Sequence, residues 1–145
     1  MIKYFVAMVF VLPALADNPL QDTDKAVQYF TDRLNFETNT FGVQNIVDGK
    51  VSNRTIIDVR SAKAYAEGHI PGAINIPAEK YDDFDGSQIE FPGLSKDKIN
   101  VLYCYVPGCN LAQKAAKKFA SLGYPVKEMM GGFKAWKDEG RSVEK

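Results

Sequence analysis

The sequence predicts an α/β fold: a small parallel β-sheet flanked by helices on both faces. Three observations lead there. The run Thr55-Ile56-Ile57-Asp58-Val59 lacks the polar alternation of a half-exposed strand and reads as a strand buried on both faces. Further short apolar runs are separated by stretches whose apolar residues recur at helical spacing, and strands alternating with helices call for parallel pairing through crossover helices. The chain of 145 residues, 46% of them hydrophobic, fits one domain with its own core, since domains commonly run to roughly 100–200 residues.

Taken in order, residues 1–16 stand apart: Lys3, a nearly unbroken apolar stretch over residues 4–12, then Pro13-Ala14-Leu15-Ala16. One positive charge, a short apolar core and small residues before Asp17 are the pattern of a secretory signal peptide, with cleavage expected after Ala16 and one domain over residues 17–145. The apolar stretch is shorter than the about 20 residues that span a bilayer core of about 30 Å, so no membrane association is expected after cleavage. The expected location is outside the cytoplasm, in a bacterial periplasm given so short a leader, otherwise secreted.

Thr23 or Asp24 is expected to cap a helix carrying Ala26, Val27, Phe30 and Leu34, and residues 41–47 a second helix closed by Gly49. After the strand at residues 55–59, Ser61 caps a short helix through Tyr65 that stops at Gly68. Residues 73–77 read as a second short strand, and the acidic stretch 81–85, with Gly and Pro up to Gly93, as a surface excursion. Residues 100–103 form a strand running into Cys104. A helix begins near Asn110, with Leu111, Ala112, Ala115, Ala116, Phe119 and Leu122 on one face and Gln113, Lys114, Lys117 and Lys118 on the other. Gly123 ends it; residues 125–129 form another strand, Gly131-Gly132 a tight turn, and residues 133–138 a last helix with Trp136 turned inward.

Charge and cysteine counts narrow the function. Eighteen Lys and Arg against 18 Asp and Glu leave no excess for the nucleic-acid backbone, so no nucleic-acid partner is expected. Two cysteines and one histidine are too few for a disulfide-built scaffold or a four-ligand zinc site; neither a metal nor a cofactor is expected.

Ligands of open parallel sheets sit beyond the carboxyl ends of the strands, which is where Cys104 falls. The loop that follows can aim backbone N–H groups inward, and the next helix adds the unpaired N–H groups and positive dipole end of its first turn. A thiolate would be stabilised there, making Cys104 the candidate nucleophile, although position alone leaves an inert buried cysteine equally open. Cys109 lies across the same loop, close enough in sequence to resolve an oxidised sulfur on Cys104 or to close a disulfide with it.

Four segments together carry a resemblance: residues 57–60 (Ile-Asp-Val-Arg), residues 65–77 with Glu67-Gly68-His69-Ile70-Pro71-Gly72-Ala73, residues 102–104 (Leu-Tyr-Cys) and residues 131–136 (Gly-Gly-Phe-Lys-Ala-Trp). In this order and spacing they resemble a single-domain rhodanese, a thiosulfate sulfurtransferase. The resemblance implies a small parallel sheet with flanking helices and a sulfurtransferase that moves sulfane sulfur through a persulfide on Cys104; Cys109 is a departure from the family pattern, placed to resolve that persulfide. The resemblance further implies a substrate-binding loop made of Tyr105, Val106, Gly108, Asn110 and Leu111. Asp58, Arg60, Glu67 and His69 then become scaffold residues, with Arg60 beside Glu67. The implied partners are a small sulfur donor (thiosulfate, polysulfide or persulfide) and a thiol or cyanide acceptor, including a thiol on a partner protein.

The loop departs from the family's usual Cys-x-x-Gly-x-Arg-Ser. It reads Cys104-Tyr105-Val106-Pro107-Gly108-Cys109-Asn110-Leu111-Ala112, is longer by about two residues, carries no Arg to clamp a dianionic donor, and loses one N–H at Pro107. Two alternatives to sulfur transfer therefore stand beside it: a thiol-disulfide redox protein, and a non-catalytic rhodanese-like binding module locked by a Cys104–Cys109 disulfide.

Overall fold

A computed structural model of the chain describes residues 22–77 and 91–145. The leader expected over residues 1–16, the domain boundary at residue 17 and the acidic excursion over residues 81–85 lie outside the described residues. The elements are α1 (Thr23–Phe36), β1 (Glu37–Thr38), α2 (Thr40–Val47), β2 (Arg54–Asp58), α3 (Ala62–Glu67), β3 (Ile74–Asn75), β4 (Ile99–Tyr103), α4 (Leu111–Ser121), β5 (Val126–Met129) and α5 (Gly132–Asp138). Five strands form one sheet in the order β1-β5-β4-β2-β3, every neighbouring pair parallel. This is the α/β architecture that the alternation of strands and helices predicts.

The central strands β2 and β4 are apolar on both sides because both sides are covered. On one face, Ile57, Val59 and Leu102 pack with Cys104 against Ala112, Ala115 and Phe119 of α4. On the other, Ile56, Val101 and Tyr103 pack against Val43 of α2 and Phe133 and Trp136 of α5. Trp136 is fully buried and its indole N–H donates to the Ser142 carbonyl at 2.7 Å. The pairing of β2 with β4 runs from Arg54↔Ile99 to Asp58↔Tyr103, so the chain leaves both strands at the same end of the sheet. Cys104 emerges there.

Some boundaries and contacts differ from the sequence expectations. The cap of α1 is Asp22, whose carboxylate accepts from the Lys25 N–H at 3.0 Å; Thr23 and Asp24 lie inside the first turn. The apolar stripe of α1 is not buried: Val27, Phe30 and Leu34 are 67, 55 and 80% exposed. Helical spacing fixes the face but not its partner, and α1 meets the sheet at β5 and at the two-residue edge strand β1. That strand has too few residues to show any period. The expected helix caps at Ser61 and Gly68 are both present, with the Ser61 hydroxyl accepting from the Ala64 N–H at 3.2 Å. Among the described residues, no helix is long and apolar enough to cross a membrane.

Candidate active site

At the carboxyl end of β4 the chain turns into a loop held between two helices. Its start is fixed from α5: the Phe133 and Lys134 N–H groups donate to the carbonyls of Cys104 and Tyr105 at 2.8 and 2.9 Å. The approach requires glycine at position 132, where a Cβ would stand 2.9 Å from the Cys104 carbonyl oxygen and from backbone atoms of Tyr105 and Val106. The loop's middle is a tight turn closed by the Cys109 N–H on the Val106 carbonyl at 3.1 Å. Pro107 supplies the fixed φ of its second residue, and Gly108 the positive φ of +81° at its third. Its outer side is tied by Tyr105, whose hydroxyl accepts from the Ser61 N–H at 3.0 Å and so bonds the cap of α3.

This folding brings both cysteines to one cavity of about 210 Å³, which Val106, Gly108 and Gly132 also line. Both are free thiols. Cys104 is buried; its thiol donates to the Cys109 carbonyl at 3.3 Å. Burial pushes the Cys104 thiol up to about 11, its contact with the Cys109 sulfur adds to that, and backbone N–H groups of Ala112 and Tyr105 pull the other way. At Cys109, burial also opposes charge, but the Cys104 S–H and the N–H groups of Leu111 and Tyr105 outweigh it and bring the thiol below its ordinary value. Of the pair, Cys109, at the amino end of α4, is therefore the more acidic thiol and Cys104 holds its proton more tightly.

The loop residues expected to bind substrate divide by what they present. Val106 and Gly108 line the cavity, while Tyr105 and Leu111 reach the sulfurs through backbone N–H groups. Asn110 is the N-cap residue of α4 with no side-chain cap bond, and it does not line the cavity. Leu111 packs its side chain on the core beside α4.

The expected scaffold residues lie away from the sulfurs. Asp58 and Arg60 are both buried, paired at 2.6 Å through Arg60 Nη2 and Asp58 Oδ2. Asp58 also accepts from the Tyr103 hydroxyl at 2.6 Å, and Arg60 donates onward to the Gly68 carbonyl at 2.7 Å. Burial works against charge on Arg60, but its bonds to Asp58 outweigh this and raise its pKa. Arg60 reaches the chain beside Glu67 through the Gly68 carbonyl, while its charge partner is Asp58; Glu67 is exposed and stands 4.0 Å from Lys63. His69 stacks on Tyr65 with ring centroids 3.8 Å apart, and its backbone bridges Glu144. Among the described residues no cluster of three or more His, Cys, Asp or Glu side chains comes together to hold a metal ion.

Two residues of the cavity wall escape the sequence reading: Gln113 on α4 and Glu128 on β5. Glu128 is half-buried, on the same face of β5 as Val126, and burial raises its pKa while a hydrogen bond from Gln113 lowers it. A carboxylate inside a strand is the available signal, but alternation with Lys127 makes it look solvent-facing.

Comparison with known proteins agrees with this geometry. A family model described as "Rhodanese-like domain" matches residues 43–139. The thiosulfate sulfurtransferase GlpE of Pseudomonas putida is 30% identical over 61% of this chain and 74% of its own length. The HTH-type transcriptional regulator Rv0324 of Mycobacterium tuberculosis is 34% identical over 62% of this chain, which spans 37% of that regulator. The tRNA sulfurtransferase of Desulfurococcus amylolyticus is 31% identical over 63% of this chain, which spans 16% of that protein. Among solved structures, the BH2092 protein of Bacillus halodurans superposes with a TM-score of 0.70 at 37% identity, over 85% of this chain and 86% of that one.

Proposed function

From the premise that this chain belongs to the rhodanese-like domain family, we propose that it is a sulfurtransferase that carries sulfane sulfur as a persulfide on Cys104, with Cys109 as its activating and resolving partner. One observation supports this above the others: two free thiols share a cavity at the end of β4, where backbone N–H groups of Tyr105, Leu111 and Ala112 approach the sulfurs. Such a cradle stabilises an anion without a basic side chain. It suits the anionic persulfide Cys–S–S⁻.

In the first step Cys104 attacks the outer sulfur of the donor and gives its proton to the Cys109 thiolate. The donor's S–S bond breaks and its electron pair leaves on the departing group: sulfite from thiosulfate, a thiolate from an organic persulfide. A thiolate of high pKa is the stronger nucleophile once formed, and Cys109 is the nearest base. In the second step an external thiol or cyanide takes the outer sulfur. With no Arg in residues 104–112, persulfides and polysulfides are the favoured donors over thiosulfate.

The contact between the sulfurs favours a second outcome when no acceptor is present. Cys109 passes its proton to the outer sulfur of the Cys104 persulfide and attacks the inner sulfur, releasing hydrosulfide and leaving a Cys104–Cys109 disulfide that an external dithiol must reduce. The leader pattern of residues 1–16 supports the further proposal that this chemistry takes place outside the cytoplasm.

Mass spectrometry of the reduced protein after treatment with a polysulfide or thiosulfate tests the reading. A gain of one sulfur that vanishes in Cys104→Ser and persists in Cys109→Ser is expected. A gain that follows Cys109 reverses the roles, and no gain in any form leaves a binding module.

A further inference from the structure

The cavity's charge environment bears on which donor it admits. Among the described residues lining it, none is Lys, Arg or His, and Glu128 is the only carboxylate. Glu37 of β1 is its register partner and works against charge on it, while Arg33 of α1, paired with Glu37 at 2.8 Å, favours that charge. Glu128 and the neutral Gln113 also line the groove between α1 and α4, together with Asp32, Arg33, Lys117 and Lys127. A donor anion entering the cavity meets the Glu128 carboxylate on a wall whose described residues include no basic side chain.

Building on the sulfurtransferase reading, we propose that Glu128 determines donor specificity: its carboxylate at the cavity wall disfavours dianionic sulfur donors and selects donors of one negative charge or none. The repulsion grows with donor charge and is largest where burial limits solvent screening. It acts on binding and on the approach to Cys104, while the bond-making step is the same for both donor classes. With thiosulfate, the cysteine pair and the dianion give Cys104–S–S⁻, Cys109–SH and sulfite dianion. With methanethiosulfonate, a monoanion of the same shape, they give Cys104–S–S⁻, Cys109–SH and methanesulfinate. The proton balance is identical and only the donor's charge differs.

The measured quantity is the ratio of kcat/KM for methanethiosulfonate to kcat/KM for thiosulfate, with cyanide as acceptor. Both donors use the same cysteines, so effects on thiol reactivity cancel in the ratio. Glu128→Gln keeps size and hydrogen-bonding capacity and removes the charge; the ratio should fall about tenfold, mainly through a lower KM for thiosulfate. The unmodified protein gives a second, independent reading. Burial holds the Glu128 carboxyl above the usual glutamate value, so on acidification it becomes neutral earlier than an exposed one and the ratio should fall through that titration. The titration should be missing in Glu128→Gln. If both donors load Cys104 but the ratio is the same in the two proteins and flat with pH, Glu128 has no role in selection. If neither donor loads a cysteine, the sulfurtransferase reading itself fails.

Discussion

Replacing Gly132 with alanine should loosen the active loop by an amount that can be worked out. Gly132 has φ of +63°, a left-handed conformation that costs a residue bearing a Cβ roughly 1–2 kcal/mol. The new Cβ would also lie 2.9 Å from the Cys104 carbonyl oxygen and two further backbone atoms. No side chain can swing aside to relieve this, so the loop and the start of α5 must separate. That sacrifices the bonds from Phe133 and Lys134 N–H to the Cys104 and Tyr105 carbonyls, worth about 1 kcal/mol each. The expected loss is about 3–4 kcal/mol of unfolding free energy, a large share of the roughly 5–15 kcal/mol of an ordinary domain. Gly123→Ala is the control: its φ is +83° but nothing lies within 4 Å of the added atom, so only the conformational cost of about 1–2 kcal/mol applies. Urea unfolding of both variants, with the rate at which a thiol reagent reaches Cys104, measures the difference. Equal losses in the two variants, with unchanged Cys104 accessibility, would refute the idea that close backbone contact holds the loop.

Three further outcomes follow from the same contacts. Asp58→Asn leaves Arg60 buried without its counter-charge and should cost about 3–5 kcal/mol in urea unfolding; a loss under 1 kcal/mol would mean that the pair is not holding this end of the sheet. Near neutral pH, iodoacetamide should label Cys109 before Cys104, because Cys109 is the more acidic and the more accessible of the two, and Cys109→Ser should lower the Cys104 pKa by removing the neighbouring sulfur that raises it; peptide mapping that finds Cys104 labelled first would reverse the order of acidity. Glu128 binds its proton more tightly folded than unfolded, so the protein loses stability as pH rises from the ordinary glutamate value through the raised one. Glu128→Gln should therefore be more stable than the unmodified protein at neutral pH, with the advantage shrinking in acid; an equal advantage at both ends would exclude titration as its source.

What could be read from the sequence follows physical rules about range. The run at residues 55–59 announces a buried strand because a sheet covered on both faces admits apolar side chains at successive positions, and β4 follows for the same reason. The position of Cys104 follows from where that strand ends. The α1 stripe shows a helix, yet Val27, Phe30 and Leu34 remain exposed because periodicity carries no information about what covers a face. Arg60 has two carboxylates near it in sequence, and the one two residues away on a strand end becomes its partner because it is buried, while the one seven residues away beside a helix end is exposed.

The charge distribution within the site lay beyond the sequence altogether. Two thiols in one loop are visible in the chain, but which of them is the more acidic depends on which N–H groups of Tyr105, Leu111 and Ala112 reach each sulfur, and on how deeply β4 seats the first. The buried, less acidic thiol is the one directly after the strand, where the family resemblance puts the nucleophile. A site of this kind separates two properties that one cysteine would have to combine. In the proposed reaction the more acidic sulfur accepts the proton, and the less acidic one becomes the stronger nucleophile at the moment of attack. Glu128 stands on the wall of the same cavity. In that proposal a loop without Arg and a wall carboxylate act in one direction, against dianions and toward donors whose sulfur is carried on a less charged body.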